Sequence, residues 1–538
     1  MKHAWRLPAI VVLLALFVAG FVLKGNNSAV DTTAGSTQLA ETVPTASSPG
    51  AASSTWYCAA GTAMGVGDPA AIAEQVVIIA NDSDTDASGN FSVIPDKGDR
   101  AATGFKVAAH SRQVIRVSDV LKAAWASVLV EVTGGEVTVT HELSGPSGRS
   151  LSGCASSPDS NWYFPAGTTR AGSRNLVAVF NPFPGEATVD LSFDTDDGVR
   201  TPQQFQGLVI PGSRVVVVDV AAVVTLRTHV ATTVSARTGR VIVEQLQTTD
   251  GRDGTDIGLT AVLGGTAPSP VWVFADGAPA GSTVGESVSI FNPGDSDTEV
   301  QVQVQLDDQK SNGTVEPFQV TVASHRYAVV DLYSDPRVPR SVGHWVIVRS
   351  ADNTPVVVER SITGVKGSTL AGSSHTMGVP VVATRWLVGP LVSADLSSGF
   401  VSIANPSATE SASVTVRSIT AKGVVDLANQ VAVTVAPGER RSIDVRALFV
   451  QSPDRSFEIS STVPVVVGEW LQFPAPADFS TPQGFPVMGT QRLLLDAVLP
   501  QAGAGLEVDP SLAPEGTSVI PDSSVATTVV PVTTAVAR

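Results

Sequence analysis

Val300-Gln301-Val302-Gln303-Val304-Gln305-Leu306 alternates without a fault. In an extended chain Val300, Val302, Val304 and Leu306 fall on one face and the three glutamines on the other. That is the period of a half-buried antiparallel strand. A polar turn over 307–313 follows, then a second apolar run over 318–322. Upstream, the run 287–291 is stopped by Asn292-Pro293-Gly294. Proline has no N–H for a ladder, and Asn-Pro-Gly is turn chemistry. Downstream come runs at 327–332, 345–348 and 355–359. Short strands separated by turn signals at this spacing predict a β-sandwich of immunoglobulin-like topology.

The same passage occurs four times. Each copy opens on a tryptophan: Trp56, Trp162, Trp272, Trp386. About twenty residues later an apolar run ends in Asn81, Asn181, Asn292 or Asn405, the last three followed by proline. A turn carrying Arg112, Arg214, Arg326 or Arg440 comes next, and each copy closes on a valine-rich run with Glu142, Glu244, Glu359 or Glu469. A period of about 110 residues is domain-sized, larger than a solenoid turn or propeller blade. The fourth copy repeats the strand runs at 400–404, 414–416, 431–435, 442–445, 457–459 and 464–467. Helical patterning is nearly absent; 119–126 is the one candidate helix after the N-terminal run. Laid end to end, four such units would reach on the order of 100 Å.

Composition agrees. Only 16% of the 538 residues are charged, with 47 Gly and 35 Pro, the balance of an all-β chain rich in turns. The net charge of −16 argues against nucleic acid and against anionic lipid as partners. The two cysteines, Cys58 and Cys154, bracket the first unit. A bond between them would close a loop of nearly a hundred residues and would need an oxidising compartment. The alternative is two separate buried thiols.

Residues 7–23 are apolar and uncharged, with Lys2 and Arg6 ahead and Lys24 behind. The length suits a transmembrane signal anchor over 1–24, whose flanking charges place the N-terminus inside and the rest outside. Secretion after signal cleavage is the alternative. Residues 25–54 are poor in large apolar side chains and read as a disordered Ser/Thr/Ala/Pro stalk, and 501–538 as a similar tail. The expected units are 55–158, 159–268, 269–382 and 383–500.

Each recurring residue has two readings. The tryptophans plug the core of each unit, or they form platforms for sugar rings. The recurring Arg and Glu form structural ion pairs within each unit or at unit junctions, or they stand as solvated edge charges. Asp82, Asp84, Asp86 and Ser88 have the odd-even spacing of a calcium loop, but Ala87 and Val93 stand where an EF-hand needs Gly and Glu. A solvated turn is the simpler reading, and looser acidic runs recur at 194–197 and 295–297. His141-Glu142 lacks the second histidine of a zinc protease. Ser-x-x-Lys, G-x-S-x-G and P-loop signatures are missing from the sequence. No cofactor, metal ligand set or catalytic residue is expected.

Residues 161–168 (NWYFPAGT), the Asn-Pro turns, Pro211-Gly212-Ser213-Arg214 and Val356-Val357-Val358-Glu359-Arg360 resemble a repeat of exported actinobacterial envelope proteins, including a membrane-anchored family of unknown function. The first unit departs from it, with Ala109-His110 where Pro-Gly would stand. The resemblance implies fold and location and no activity. The expectation is therefore all-β: four tandem immunoglobulin-like sandwiches after a transmembrane helix, in a single-pass, non-enzymatic scaffold of the cell envelope. Its partners would be the membrane and envelope proteins, or wall glycan on the alternative reading; an enzyme is the remote alternative.

Overall fold

The computed structural model describes residues 43–65, 67–252, 257–364, 370–388, 398–426, 432–445, 455–474, 491–496 and 499–500. The expected anchor at 7–23 and the tail at 501–538 lie outside them. Among the described residues no helix is long and apolar enough to cross a membrane. The described chain is almost entirely strand and turn, in several sheets without a closed barrel. The expected helix over 119–126 shrinks to the single turn Val117–Val120.

The first unit has eight strands: β1 (Ser53–Cys58), β2 (Glu74–Asn81), β3 (Ala87–Pro95), β4 (Ala101–Val107), β5 (Ser111–Arg116), β6 (Ala126–Thr133), β7 (Val137–Gly145) and β8 (Gly148–Gly153). They form two antiparallel sheets, β1-β6-β3-β4 and β5-β2-β7-β8. The second stretch pairs in the same two orders, with its β4 counterpart split into Gly198–Arg200 and Leu208–Ile210. The third does so from Val271–Phe274 to Ser373–Met377. In the fourth, the counterparts of β6 and β7 run together as Arg455–Pro474, which begins in one sheet and ends in the other. The order differs from the expected immunoglobulin one. There the first two strands are neighbours in one sheet. Here β1 pairs β6, while β2 lies in the other sheet between β5 and β7.

Val300, Val302, Val304 and Leu306 are buried and their glutamine neighbours half-exposed, as the alternation predicts. Each unit closes a core between its sheets around one tryptophan.

The units do not extend into a rod. β8 lies against Ile257–Leu263, which lies against Ser373–Met377, which lies against Gln491–Asp496, which returns to β8. The last strands of the four units thus meet around a common axis, and the fourth unit closes on the first. Apolar contacts cross every junction. Tyr57 of the first unit meets Phe180 of the second, and Tyr163 meets Phe291 of the third. Val273 and Trp345 of the third share a cluster with Ala404 and Val466 of the fourth. Ile78 and Leu151 of the first are buried with Trp386 and Phe457 of the fourth. A head-to-tail contact repeated with a rotation that closes gives a ring, and a ring replaces the ~100 Å reach suggested by end-to-end units.

The expected stalk also ends early. Val43 and Ala46 are buried, Glu136 N–H donates to Ser47 O at 2.9 Å, and Gly134 N–H donates to Ala52 O at 2.9 Å. Residues 43–52 therefore belong to the packed body.

Candidate functional site: the junctions and axis of the ring

The four tryptophans are at most 1% exposed, which leaves none of them as a sugar platform. Trp162, Trp272 and Trp386 donate their indole N–H to Val241 O, Val356 O and Val465 O at 2.9, 2.8 and 3.0 Å. Trp56 Nε1 is buried without a partner.

The turn asparagines do more than turn the chain. Each is fully buried. Asn292 Oδ1 accepts from Gly294 N–H, and its Nδ2 donates to Ser296 O and to Val322 O at the end of the β4 counterpart. Asn81, Asn181 and Asn405 make the same set of bonds in their own units. The amide ties a turn of one sheet to a strand end of the other, satisfying backbone groups that burial would otherwise orphan.

The expected pairing of recurring Arg with recurring Glu does not form. In the second unit Arg214 lies opposite Asn181 and Glu244 opposite Ala178. Positions three apart on a strand face opposite sides of the sheet. The same offset separates Arg440 from Glu469, and Arg326, one residue before the Tyr327–Phe291 pair, from Glu359. In the first unit Arg112 and Glu142 lie opposite Ala80 and Val76, four residues apart.

The arginines instead reach the preceding unit. Arg326 Nη1 pairs with Asp194 at 2.7 Å and Nη2 donates to Thr195 O at 3.1 Å. Burial pushes the Asp194 carboxyl up, while the Tyr327 amide and Arg326 pull it back. Arg440 grips Asp307 with Nε and Nη2 at 3.0 and 2.6 Å. Arg112 Nη1 donates to Arg455 O of the fourth unit at 2.5 Å, across the ring closure. Arg214 departs from this pattern and donates to Ser213 O in its own turn.

Glutamates occupy the other side of two junctions. Glu244 Oε2 accepts from Ala60 N–H of the first unit at 2.9 Å, and Glu359 Oε2 from Ala166 N–H of the second at 3.0 Å. Both glutamates pair opposite the residue three before their unit's turn asparagine. At that ladder position the first unit has Thr140 and the fourth has Gly468. Glu142 and Glu469 are therefore not the counterparts their spacing suggested. The fourth unit compensates. Ala60 and Ala166 stand four residues after their tryptophans, and the third unit has Asp276 there. Gly468 leaves room for it, since a methyl on Gly468 would sit 2.7 Å from Asp276 Oδ1. At this junction the carboxylate comes from the upstream side.

Several ionisable groups are buried around these contacts. His141 lies between Gln75 and Glu244, 2.7 Å from each. It is beside the Cys58–Cys154 disulfide, which forms as the sequence suggested. His375 Nδ1 is 3.2 Å from Glu359. In the third unit, His344 Nε2 is 2.9 Å from Glu286, and Arg360 pairs with Asp276 at 3.1 Å. Burial opposes the Glu286 charge, but His344, Arg360 and the Ala278 amide outweigh it and bring the carboxyl down to about 2.

The acidic loops are spent on bonds within their own unit and across junctions. Asp86 pairs with Lys106 and accepts from Ala109 N–H; Asp297 accepts from Ser324 N–H. Asp84 and Asp295 each lie within 3 Å of a histidine, His110 and His325. Asp82 faces the fourth unit, where Arg385 binds it at 2.9 Å and Glu136 at 2.7 Å. Spacing alone gave no sign of Arg385, Asp194 or Asp307, because each belongs to a partner in another unit.

On the axis, residues of all four units line a cavity of about 70 Å³, among them Leu151, Leu263, Asp276, Met377 and Val467. Val43 and Pro44 also line it.

No curated protein matches the chain. Among solved structures, "Crystal Structure of Thermotoga maritima 1070" aligns with 21% of this chain and 93% of its own, at 22% identity and a TM-score of 0.18. A tetra-tandem repeat in the extending region of a large adhesion protein aligns over 79% and 91%, at 14% identity and a TM-score of 0.10. Neither overlap carries a structural argument. Residues 136–368, from the end of the first unit through most of the third, match the model of a family of unknown function, DUF5719.

Proposed function

We propose that this chain is a non-enzymatic scaffold of the cell envelope, membrane-tethered at its N-terminus, whose four sandwich units form one rigid extracytoplasmic body. One observation carries the reading: the recurring residues are spent on structure. The tryptophans and asparagines build each unit, three of the four arginines reach the neighbouring unit, and Glu244 and Glu359 bind theirs. The Cys58–Cys154 bond supports an oxidising compartment, and the apolar run at 7–23 supports an anchor. A closed ring offers several faces at fixed angles, which suits holding partners in place better than reaching across a distance. Wall glycan as the partner loses its main support with the burial of the four tryptophans.

The test is made in intact cells of the native host. Protease added outside should cleave the chain without lysis, detergent should be needed to release it, and thiol labelling should find both cysteines oxidised. Recovery from the cytosol with free thiols would refute the reading.

A further inference from the structure

The junction between the first and second units is built on the back of the disulfide. Trp56, Cys58 and Cys154 belong to the core of the first unit. The residues beside the cysteines face the other way. Tyr57, Ala59 and Ala155 are buried in the cluster of the second unit, with Trp162 and Phe180. Ala60 packs with Ala178 and Val215 of that unit. Side chains alternate along an extended chain, so cysteines and junction residues are opposite faces of the same two segments. Tyr57 and Ala155 exchange backbone hydrogen bonds at 2.9 and 2.8 Å, and the disulfide is the side-chain half of that tie.

The polar contacts converge on the same place. Glu244 of the second unit accepts from Ala60 N–H, two residues after Cys58, and its other oxygen lies 2.7 Å from His141. One ring nitrogen of His141 and the two sulfurs are all within 4.8 Å of one another. Both groups that hold Glu244 are therefore neighbours of the bond.

The sister units act as internal controls, and they have no cysteine. Phe164 and Phe274 stand two residues after their tryptophans, as Cys58 does. Gly264 and Gly378 stand where Cys154 does: their N–H groups donate to Val243 O and Val358 O as that of Cys154 donates to Val139 O. Each of those valines lies opposite the residue two before its turn asparagine. A methyl on Gly264 would sit 2.6 Å from Phe164 Cζ, and one on Gly378 3.0 Å from Phe274 Cζ, so each ring lies on its glycine. Packing of that kind is independent of redox state. The first unit has in its place a link that thiol exchange can undo.

We propose that the Cys58–Cys154 bond is a redox latch on the junction between the first and second units, which holds the ring closed when oxidised and lets it open when reduced. A dithiol supplies the two electrons and two protons and leaves as its own disulfide; Cys58 and Cys154 are left as thiols. Without the cross-link the two segments separate, Tyr57, Ala59 and Ala155 leave the second unit, and Glu244 loses Ala60. The coupling is reciprocal. Both sulfurs are buried, so closure shields the bond as the bond maintains closure.

The experiment records small-angle scattering and far-UV circular dichroism of the full chain, oxidised and after reduction with dithiothreitol. The expected result is a larger radius of gyration on reduction with the strand signal kept. Cys58→Phe/Cys154→Gly gives the first unit the pair of its sisters and should keep the radius of the oxidised parent in either buffer. Should that variant not fold, Glu244→Ala provides a second arm. It leaves both cysteines in place, and its bond should be reduced at about one fifth or less of the dithiol concentration that the parent needs, read by thiol labelling. An unchanged radius on reduction, loss of the strand signal, a Phe–Gly variant that opens in reductant, or a Glu244→Ala bond as resistant as that of the parent would overturn the proposal.

Discussion

Arg385 donates from Nη2 to Asp82 Oδ2 at 2.9 Å, across 303 residues of chain. The same guanidinium binds Glu136 at 2.7 Å and approaches Glu458 at 3.5 Å. Asp82 and Glu458 are each 1% exposed, so the arginine compensates charges that water cannot reach. This contact joins the fourth unit to the first and closes the ring.

Breaking it should loosen the closure. Arg385→Ala should cost about 2–4 kcal/mol, because it removes a cation shared by carboxylates of the first and fourth units that water does not reach. In a double-mutant cycle with Asp82→Ala, urea unfolding should return a coupling of about 1–3 kcal/mol. A coupling near zero would mean that the first and last units are not held together in solution. Small-angle scattering of Arg385→Glu should show a larger radius of gyration than the parent chain.

The turn asparagines should be among the costliest polar positions to change. Asn292→Ala leaves Ser296 O, Val322 O and Gly294 N–H without their partner in a buried site. The expected loss is about 2–4 kcal/mol. Asn292→Asp should recover little of it, since a carboxylate accepts but cannot donate to two carbonyls. Urea midpoints for the three proteins decide this.

Acid should weaken the junction between the second and third units. The His229 ring stacks on Tyr327 at 4.1 Å. Burial is the main reason its pKa falls to about 4, with some help from His375 and against the pull of Pro165 O. The unfolded chain binds this proton near pH 6.5 and the folded chain only near 4. Stability from this group is complete above pH 6.5 and is lost as the pH falls toward 4. The loss should be about 1–3 kcal/mol by pH 4, at ~1.4 kcal/mol per pH unit and with some relief because the ring is partly open to water. His229→Gln should flatten this slope between pH 7 and 4.5 in urea titrations, whatever it costs at neutral pH.

Reduction should destabilise the first unit. The Cys58–Cys154 bond spans a separation of 96 residues and both sulfurs are buried. The chain-entropy model gives an upper limit of about 4–5 kcal/mol for a loop of that size. Unfolding of Cys58→Ala/Cys154→Ala, compared with the parent in oxidising buffer, should show a loss within that limit. The same comparison under reductant should show almost none.

Much of the unit was legible in the chain. Strict alternation at 300–306 placed a strand and its buried face, recurrence in phase pointed to core tryptophans, and two cysteines in one unit pointed to a bond. The asparagines were legible as turns; their second bond, to a strand 26 to 30 residues on, was not. The Arg–Glu pairing failed because spacing along the chain does not report ladder register. A one- or two-residue difference in register moves Glu142 and Glu469 off the position that Glu244 and Glu359 share. The departure from immunoglobulin order was hidden as well, since β1 and β2 are consecutive in either arrangement and only the pairing tells them apart.

The amino-acid sequence by itself determined what is local and periodic: an all-β unit, its repetition four times, and the side chains that enter its core. Alternation and turn chemistry act over a few residues, so they can be read from the chain. The tertiary structure alone decided that the units close into a ring with a cavity on its axis. Closure depends on the rotation between neighbours adding up to a full turn over four units. That rotation is set by side chains meeting across junctions, such as Arg385 with Asp82 and Asp276 with Gly468, which no spacing in the sequence brings together.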